Sequence, residues 1–201
     1  MPIYVGAQNT STQAGGGEWE VIATSNFGSS AAAYGESKGW DNTTYVTVKA
    51  VLCGVDHGNW SYTPLAVQFY GDDTNGNNGT LDTSDNYIWS SRQRDLDGTS
   101  ESSNNGTDTF WKFTSQKNTS GEIWFPLKYY RASNDTGIIA RAMIHGMSAG
   151  TGVWVDSVCR CEDMSYKYLT GARIGKHNGY TSIATDTNWT KGYIKWMGLK
   201  V

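Results

Sequence analysis

Charged side chains are scarce in this sequence of 201 residues, because Asp, Glu, Lys and Arg together make up only 17% of it. Ordinary globular proteins contain about 25%. The net charge of -3 argues against a general nucleic-acid-binding protein, which would carry a strongly basic surface. No run approaches the roughly 20 apolar residues of a membrane span. The N-terminal residues lack a basic region followed by an apolar run, so the sequence predicts no signal peptide.

Cysteine and proline are also rare, with three residues of each. An odd number of cysteines without a predicted signal peptide favours free thiols in a reducing compartment. Cys159 and Cys161 lie two positions apart, so on a strand both side chains would point to one face. We interpret the pair as small apolar residues on a buried face rather than as a metal site, because the three histidines are scattered.

Aromatic residues are abundant, at 13% of the chain with nine Trp and twelve Tyr, so the chain can bury a substantial core. Runs of β-branched and aromatic residues alternate with clusters of Gly, Asn, Asp and Ser, which is typical of strands joined by turns. No window has helical periodicity over three turns. The sequence therefore predicts an all-β domain, a sandwich or a barrel, over residues 18–201. The predicted strands are 19–24, 44–55, 64–71, 86–96, 109–115, 121–130, 136–148, 152–162 and 191–201.

The first 17 residues differ in composition from the rest of the chain. A short apolar stretch contains Ile3, Tyr4 and Val5, and a polar stretch that ends in three glycines follows it. Such a composition is typical of a flexible linker. We therefore expect residues 1–17 to form an arm that anchors the domain to a neighbouring subunit through the apolar stretch.

The last 14 residues, 188–201, carry two of the nine tryptophans and include the last predicted strand. A terminal strand is stable only when it is paired and covered, so we expect residues 191–201 to lie within a sheet. Ile194, Trp196 and Gly198 would share one face, and Gly198 would mark a close approach. In residues 44–55, the same alternation puts Tyr45, Thr47, Lys49 and Val51 on the face opposite Val46, Val48, Ala50 and Leu52.

The order of these segments resembles a family of small β-sandwich virion proteins of tailed bacteriophages, often of aquatic hosts such as cyanobacteria. The resemblance rests on "GEWEVIAT", on "WDNTTYVTVKAVLCGV" and on a C-terminal pattern at Gly192, Ile194, Gly198 and Leu199. Met197 stands where the family usually has Tyr. The resemblance extends over most of residues 18–201. It implies an antiparallel, jelly-roll-like sandwich that is assembled in the host cytoplasm and lies on the virion surface.

Motifs of common enzymes are missing from the sequence: it has no Gly-x-Ser-x-Gly, no His-Glu-x-x-His, no phosphate-binding loop and no dinucleotide fingerprint. A pair of carboxylates across a cleft would suit a glycosidase, and the residues to examine are Asp95, Asp97, Glu122 and Asp156. Nothing in their sequence context distinguishes them from solvated loop or strand charges. The sequence therefore predicts a protein that is not an enzyme.

One polar segment resembles a calcium-binding loop in part. Asp73, Asn75 and Asn77 alternate in the way that oxygen ligands do in such loops. However, Asn78 stands where the loop needs glycine, and a closing Glu is missing. We favour a long polar hairpin loop over a calcium site, and we predict no other cofactor.

The second hypothesis for function is carbohydrate recognition, as the adhesin of a tail fibre or as a lectin-like domain. Aromatic rings at the surface can stack on sugar rings, and four aromatic residues lie near turn-rich segments. These residues are Trp40, Trp60, Tyr62 and Trp89. Exposed aromatic residues would favour this hypothesis, and buried ones would favour a structural role.

The leading hypothesis is a non-enzymatic virion structural protein, such as a capsid decoration protein, a head fibre or a tail-associated subunit. Its partners would be other virion proteins, without nucleic acid or membrane. We expect a homo-oligomer, with a trimer favoured, because symmetric assembly is general among such proteins.

Overall fold

The computed structural model describes thirteen β-strands, and no helix in the part of the chain that it describes could span a membrane. The described residues are 17–27, 32–56, 65–84, 87–98, 101–113, 117–127, 138–148, 151–161, 168–177, 183 and 189–201. The first seven strands are β1 (Trp19–Asn26), β2 (Tyr34–Lys38), β3 (Tyr45–Asp56), β4 (Leu65–Asp72), β5 (Thr80–Leu81), β6 (Tyr87–Asp95) and β7 (Glu101–Asp108). The others are β8 (Trp111–Lys112), β9 (Lys117–Pro126), β10 (Ile138–Ser148), β11 (Thr151–Cys161), β12 (Tyr168–Lys176) and β13 (Lys191–Lys200).

The strands form two antiparallel sheets. The larger sheet has eight strands in the order β1-β13-β3-β9-β10-β11-β6-β7. The smaller sheet has five, in the order β2-β12-β4-β5, and β8 pairs with β4 as well. Both sheets contribute to one apolar cluster, so they pack face to face. The predicted antiparallel sandwich is therefore confirmed.

The strand order is that of a jelly roll with an extension. Successive strands from β1 to β4 alternate between the two sheets, and β12 and β13 do so again. A jelly roll has two interleaved sheets of four strands each. The first of them corresponds to β1-β13-β3-β9. The second corresponds to β2-β12-β4 together with β5 and β8, which both pair with β4. The antiparallel pairs β10–β11 and β6–β7 extend the larger sheet beyond β9.

Aromatic rings fill the centre of the sandwich. The Trp40 ring packs against Phe125 on β9 and Trp196 on β13, with ring centroids 5.2 Å and 5.8 Å away. Phe69 on β4 brings the smaller sheet into contact with Phe125 at 6.0 Å. Truncating one such ring to Ala typically costs about 3–5 kcal/mol, because a cavity remains. These rings therefore determine how the sheets pack.

The last strand lies inside the larger sheet, between β1 and β3, as predicted. Ile194, Trp196 and Gly198 are buried on one face. Gly198 marks the predicted close approach, because a Cβ atom there would lie 2.4 Å from Cδ1 of Tyr45. Thr47 and Leu199 are paired, but the register shifts beyond them, so Tyr45 packs partly against the core. The predicted face of Tyr45 is therefore wrong.

The alternation predicted for β3 is confirmed from Thr47 to Leu52. Val48, Ala50 and Leu52 are buried, whereas Thr47, Lys49 and Val51 are only partly buried. Neighbouring strands in the larger sheet show the same contrast between an inner and an outer side.

Four strands have no counterpart among the predicted ones: β2, β5, β7 and β12. The segment that contains β7 was predicted to be a turn cluster. β7 is an edge strand whose residues are almost all exposed, so no buried face imposes an apolar alternation on it. In β12, Gly171 and Gly175 interrupt the alternation of apolar and polar side chains. Both positions need glycine, because backbone or side-chain atoms of neighbouring segments occupy the space of a Cβ atom there.

The two outer faces of the sandwich differ in how they are covered. On the smaller sheet, Ala66 of β4 packs with Phe110 and Ile183 in a second buried cluster, so β4 is buried on both faces. On the larger sheet, the strands beyond β9 alternate between buried and exposed residues. The outer face of the larger sheet is therefore the one that is available to a partner.

Candidate functional site

The candidate site lies on the outer side of strands β6, β10 and β11. These strands pair without any register shift. Val153, Val155 and Cys159 of β11 point into the core, so the residues between them point outward. We call the outward positions of the three strands the extension face: Ile88, Ser90, Arg92, Arg94, Ile139, Arg141, Met143, His145, Met147, Trp154, Asp156, Val158 and Arg160.

Exposed apolar side chains concentrate on the extension face. Of the eight large hydrophobic residues that are exposed in the described part of the chain, five belong to it. They are Ile88, Ile139, Met147, Trp154 and Val158. Single exposed apolar residues are normal, so it is their concentration on these three strands that makes the extension face a candidate interaction surface.

Trp154 on β11 is 42% exposed and is the middle one of three paired residues that cross the face. It lies opposite His145 on β10 and opposite Arg94 on β6. The His145 and Trp154 rings are nearly parallel, at 11°, with their centroids 6.5 Å apart. The sheet therefore holds the indole ring between two polar neighbours, with part of its surface open to solvent.

Basic residues on the extension face are arginines only. The chain has ten lysines and six arginines, which together are the 16 basic residues. Four of the arginines lie on the extension face and none of the lysines does. Arginine is more weakly hydrated than lysine and presents a planar set of donors, so it is easier to bury at a contact.

Ion pairs hold two of these arginines in place. Arg141 donates from Nε and Nη2 to the two carboxylate oxygens of Asp156, at 3.1 Å and 2.9 Å. Arg92 donates to Glu101 on β7, and this bond holds the pKa of Glu101 below its usual value. Both pairs are open to solvent and contribute little to stability. Their effect is to orient the guanidinium groups.

Closer to β1, the same outer face carries an aromatic cluster that is already occupied. Nζ of Lys49 lies 4.6 Å and 4.9 Å from the ring centroids of Trp19 and Trp124. It also forms an ion pair with Glu122, at 2.7 Å. Because Lys49 contacts both indole rings, this cluster is less open than Trp154 is.

The four carboxylates considered for catalysis do not form one group. Glu122 on β9 and Asp156 on β11 both lie on the outer face. Each is paired with Met143 on β10, the strand between them. Lys49 and Arg141 neutralise them. Asp95 ends β6, and Asp97 lies in the turn that follows.

Two of the predicted sugar-stacking residues are core residues instead. Trp40 is 1% exposed and donates from Nε1 to Ser37, and Trp89 is 4% exposed and packs beside Gly106. The prediction of a surface platform is wrong for these two, because their rings fill space under the sheets. Five other predicted residues lie outside the described part of the chain: Ile3, Tyr4 and Val5 of the arm, and Trp60 and Tyr62.

The predicted calcium-loop residues make contacts within the loops. Asn75 accepts a bond from the backbone of Asn42 at 3.0 Å and donates to Asp41. Asn77 donates to Asp72 at 3.5 Å, and Asp73 is exposed. The loop contacts thus join residues 72–79 to residues 41–44. Calcium binding stays a prediction.

The two cysteines of β11 are both buried, as predicted, whereas Cys53 is exposed. Burial raises the pKa of both thiols, and Cys161 donates to Asp82 at 3.4 Å. The described residues contain no group of three or more His, Cys, Asp or Glu side chains that could hold a metal ion.

Neither a family model, nor a curated protein, nor a solved structure matches this chain. The resemblance to bacteriophage virion proteins therefore stays a prediction, and the function has to be argued from the molecule itself.

The sequence contained one signal for the extension face. Residues 136–148 and 152–162 were predicted as strands, and alternation puts Trp154, Asp156 and Val158 on one side of the second strand. Apolar residues occur on both sides of these strands, so alternation could not identify the exposed side. The packing of the two sheets was needed to do so, because it buries Val153, Val155 and Cys159 and leaves the residues between them outside.

Proposed function

We propose that this protein is a non-enzymatic structural subunit on the surface of a bacteriophage particle, and that the extension face packs against neighbouring copies. The observation that carries the proposal is the composition of this face, with Trp154, two methionines and four arginines but no lysine. The centres of protein interfaces are enriched in aromatic residues, Met and Arg, and they are depleted in Lys.

The position of the face in the fold supports the proposal. β11 pairs with β10 and with β6 without a register shift, and β10 also pairs with β9, where the register shifts only between His145 and Met147. A rigid sheet loses little conformational entropy when it docks, so more of the contact energy appears as affinity. Jelly rolls occur in viral capsid and lectin domains. That analogy is one of fold alone, and the surface carries the argument.

The proposal includes a homo-oligomer, with a trimer as the expected state, in which extension faces gather around the symmetry axis. The arm at residues 1–17 would attach this assembly to another virion protein through Ile3, Tyr4 and Val5. A chain lacking residues 1–17 should fold and form the oligomer but should no longer be incorporated into particles. Normal incorporation of the shortened chain would contradict the role of the arm.

The experiment that tests the face is sedimentation velocity of the full chain over about 1–100 μM, a range that covers contacts of moderate affinity. About 100 Å² of Trp154 is exposed, if a Trp side chain presents roughly 250 Å². At about 25 cal/mol per Å² its burial contributes about 2.5 kcal/mol. Trp154→Ala should therefore weaken each contact about 60-fold.

The matched control is Val21→Ser on β1, at the far edge of the same sheet. Val21 is also an exposed apolar residue but lies outside the extension face. This variant should associate as the unmodified chain does. A monomeric unmodified chain over the whole range, or equal association of the Trp154 variant, would contradict the proposal.

A further inference from the structure

In the described part of the chain, one long edge of the larger sheet has no neighbouring strand. β7 pairs with β6 along its whole length, from Glu101 opposite Arg94 to Asp108 opposite Tyr87, without a register shift. It is the outermost strand of the sheet. An edge strand directs the N–H and C=O groups of alternate residues away from its partner, so β7 presents a row of backbone groups to which a further strand could bind.

The other sheet edges have features that hinder such pairing. β1, at the opposite edge of the larger sheet, has a register shift between Val21 and Ala23, and a bulge interrupts the regular spacing that strand addition needs. In the smaller sheet, β2 has five residues, and β5 and β8 have two each. β7 has eight residues and contains neither Pro nor Lys, which often protect edges. Among the described strands it is therefore the long and regular edge.

The charges of β7 lie at its two ends and are paired within the chain. Glu101 accepts a hydrogen bond from Nε of Arg92, and Oδ2 of Asp108 lies 3.3 Å from Nζ of Lys112. All the residues between Glu101 and Asp108 are uncharged. The middle of the edge therefore carries no charge that would repel a second copy of the same strand.

Side chains on both sides of β7 are polar, and almost all of them are exposed. The buried ring of Trp89 on β6 supports the strand from the core side, because a Cβ atom at Gly106 would lie 3.1 Å from Cζ2 of that ring. A further strand at this edge would bind backbone groups without having to match an apolar face. The edge is consequently suited to a partner strand that is as polar as β7 itself.

We propose that β7 pairs with β7 of a second copy, antiparallel and across a two-fold axis perpendicular to the sheet. This arrangement keeps the core faces of both copies on one side, so the larger sheet continues from one copy into the other. Pairing centred on Asn104 places Glu101 opposite Thr107 of the second copy and brings no two like charges opposite each other. The contact does not use the extension face, so it goes beyond the proposed function.

A strand of a different protein is the competing occupant of this edge. Recognition of a foreign strand obtains its specificity from pockets for alternate side chains, and the exposed polar side chains of β7 form no apolar pocket. A two-fold contact needs only a surface that is complementary to itself. The short side chains of Ser102, Ser103, Asn104 and Asn105 can form cross-strand hydrogen bonds with the same set in a second copy. These features favour the second copy.

The test uses the Trp154→Ala chain, in which association through the extension face is weakened while β7 is unchanged. Sedimentation velocity over about 1–100 μM should show a monomer–dimer equilibrium. Adding Asn104→Lys places two like charges opposite each other, and so does adding Asn104→Asp. Each should weaken the dimer about fivefold. An equimolar mixture of the two variants should associate at least as strongly as the Trp154→Ala chain, because opposite charges then face each other.

The matched control is Val21→Lys, which adds a lysine to an exposed position on the other edge strand, β1, and should leave the dimer unchanged. Amide hydrogen exchange locates the contact. The peptide that covers residues 101–108 should exchange more slowly at about 100 μM than at about 1 μM. The peptide that covers β1 should exchange at the same rate at both concentrations.

Three results would overturn the proposal: a Trp154→Ala chain that stays monomeric at about 100 μM, a mixture that associates no better than the separate variants, or exchange of β7 that does not depend on concentration. Slower exchange of β7 only after another virion protein is added would assign the edge to a foreign strand and would overturn it too. The extension face is tested by Trp154→Ala and β7 by the Asn104 variants, so the two proposals fail independently.

Discussion

Replacing Gly198 by Ala tests how Tyr45 covers the last strand. The added Cβ atom would lie 2.4 Å from Cδ1 and 2.5 Å from Cε1 of Tyr45. Ordinary carbon contacts are about 3.5–4.0 Å, so the ring has to move by roughly 1 Å. Overpacking of this kind costs about 1–3 kcal/mol.

Movement of the ring has a second cost. The Tyr45 hydroxyl donates to Oε1 of Glu20 at 2.5 Å, and Oε2 of Glu20 pairs with Lys200 at 2.7 Å. A hydrogen bond to a charged group contributes about 1.5–3 kcal/mol, but this one is partly open to solvent and is worth less. We therefore expect Gly198→Ala to lower the free energy of unfolding by about 2 kcal/mol, or the melting temperature by about 4–8 °C.

The sign of the effect should reverse when Tyr45 is absent. In a Tyr45→Ala background no ring opposes the new methyl group, and Ala is favoured over Gly within a strand by about 0.5–1 kcal/mol. Urea unfolding of the four chains of this double-mutant cycle measures the coupling. A loss of similar size in both backgrounds would refute the reasoning, because the cost would then not come from the ring.

Two further predictions concern buried titratable groups. Burial raises the pKa of Tyr70 and Tyr87, so the unfolded chain releases their protons near pH 10 while the folded chain keeps them. The contribution of these two groups to stability should therefore be complete below pH 10 and be lost above it, by up to about 2.7 kcal/mol per pH unit. The buried thiols of Cys159 and Cys161, whose pKa burial also raises, should add to the loss from about pH 8.5 upward. Urea unfolding that gives equal stability at about pH 9 and pH 11, on either side of the unfolded pKa of Tyr, would contradict this. For the thiols, Ellman's reagent should modify Cys53 in the folded chain, whereas Cys159 and Cys161 should react only after unfolding. Modification of all three in the native state would refute the burial of β11.

The central strands could be predicted from the sequence because one of their faces is buried. In β3 and β13, the alternation of large apolar and polar residues follows the contrast between core and surface. β7 could not be predicted in this way, since its residues are polar and exposed on both sides. Its strand conformation depends on pairing with β6, which is a long-range property.

The candidate sites were harder to predict than the fold. Trp40 and Trp89 lie near turn-rich segments, but proximity to a turn in the sequence says little about burial, and both rings are in the core. Trp154 is exposed although it lies within an apolar strand.

The central claim is that the extension face is covered by protein in an assembled particle. Electron cryomicroscopy of phage particles that contain this chain, at side-chain resolution, tests it most directly. The account predicts that Trp154 and the arginines beside it are buried against a neighbouring subunit, with the arm in contact with another virion protein. An ordered chain in the particle with Trp154 facing solvent on every copy would contradict it.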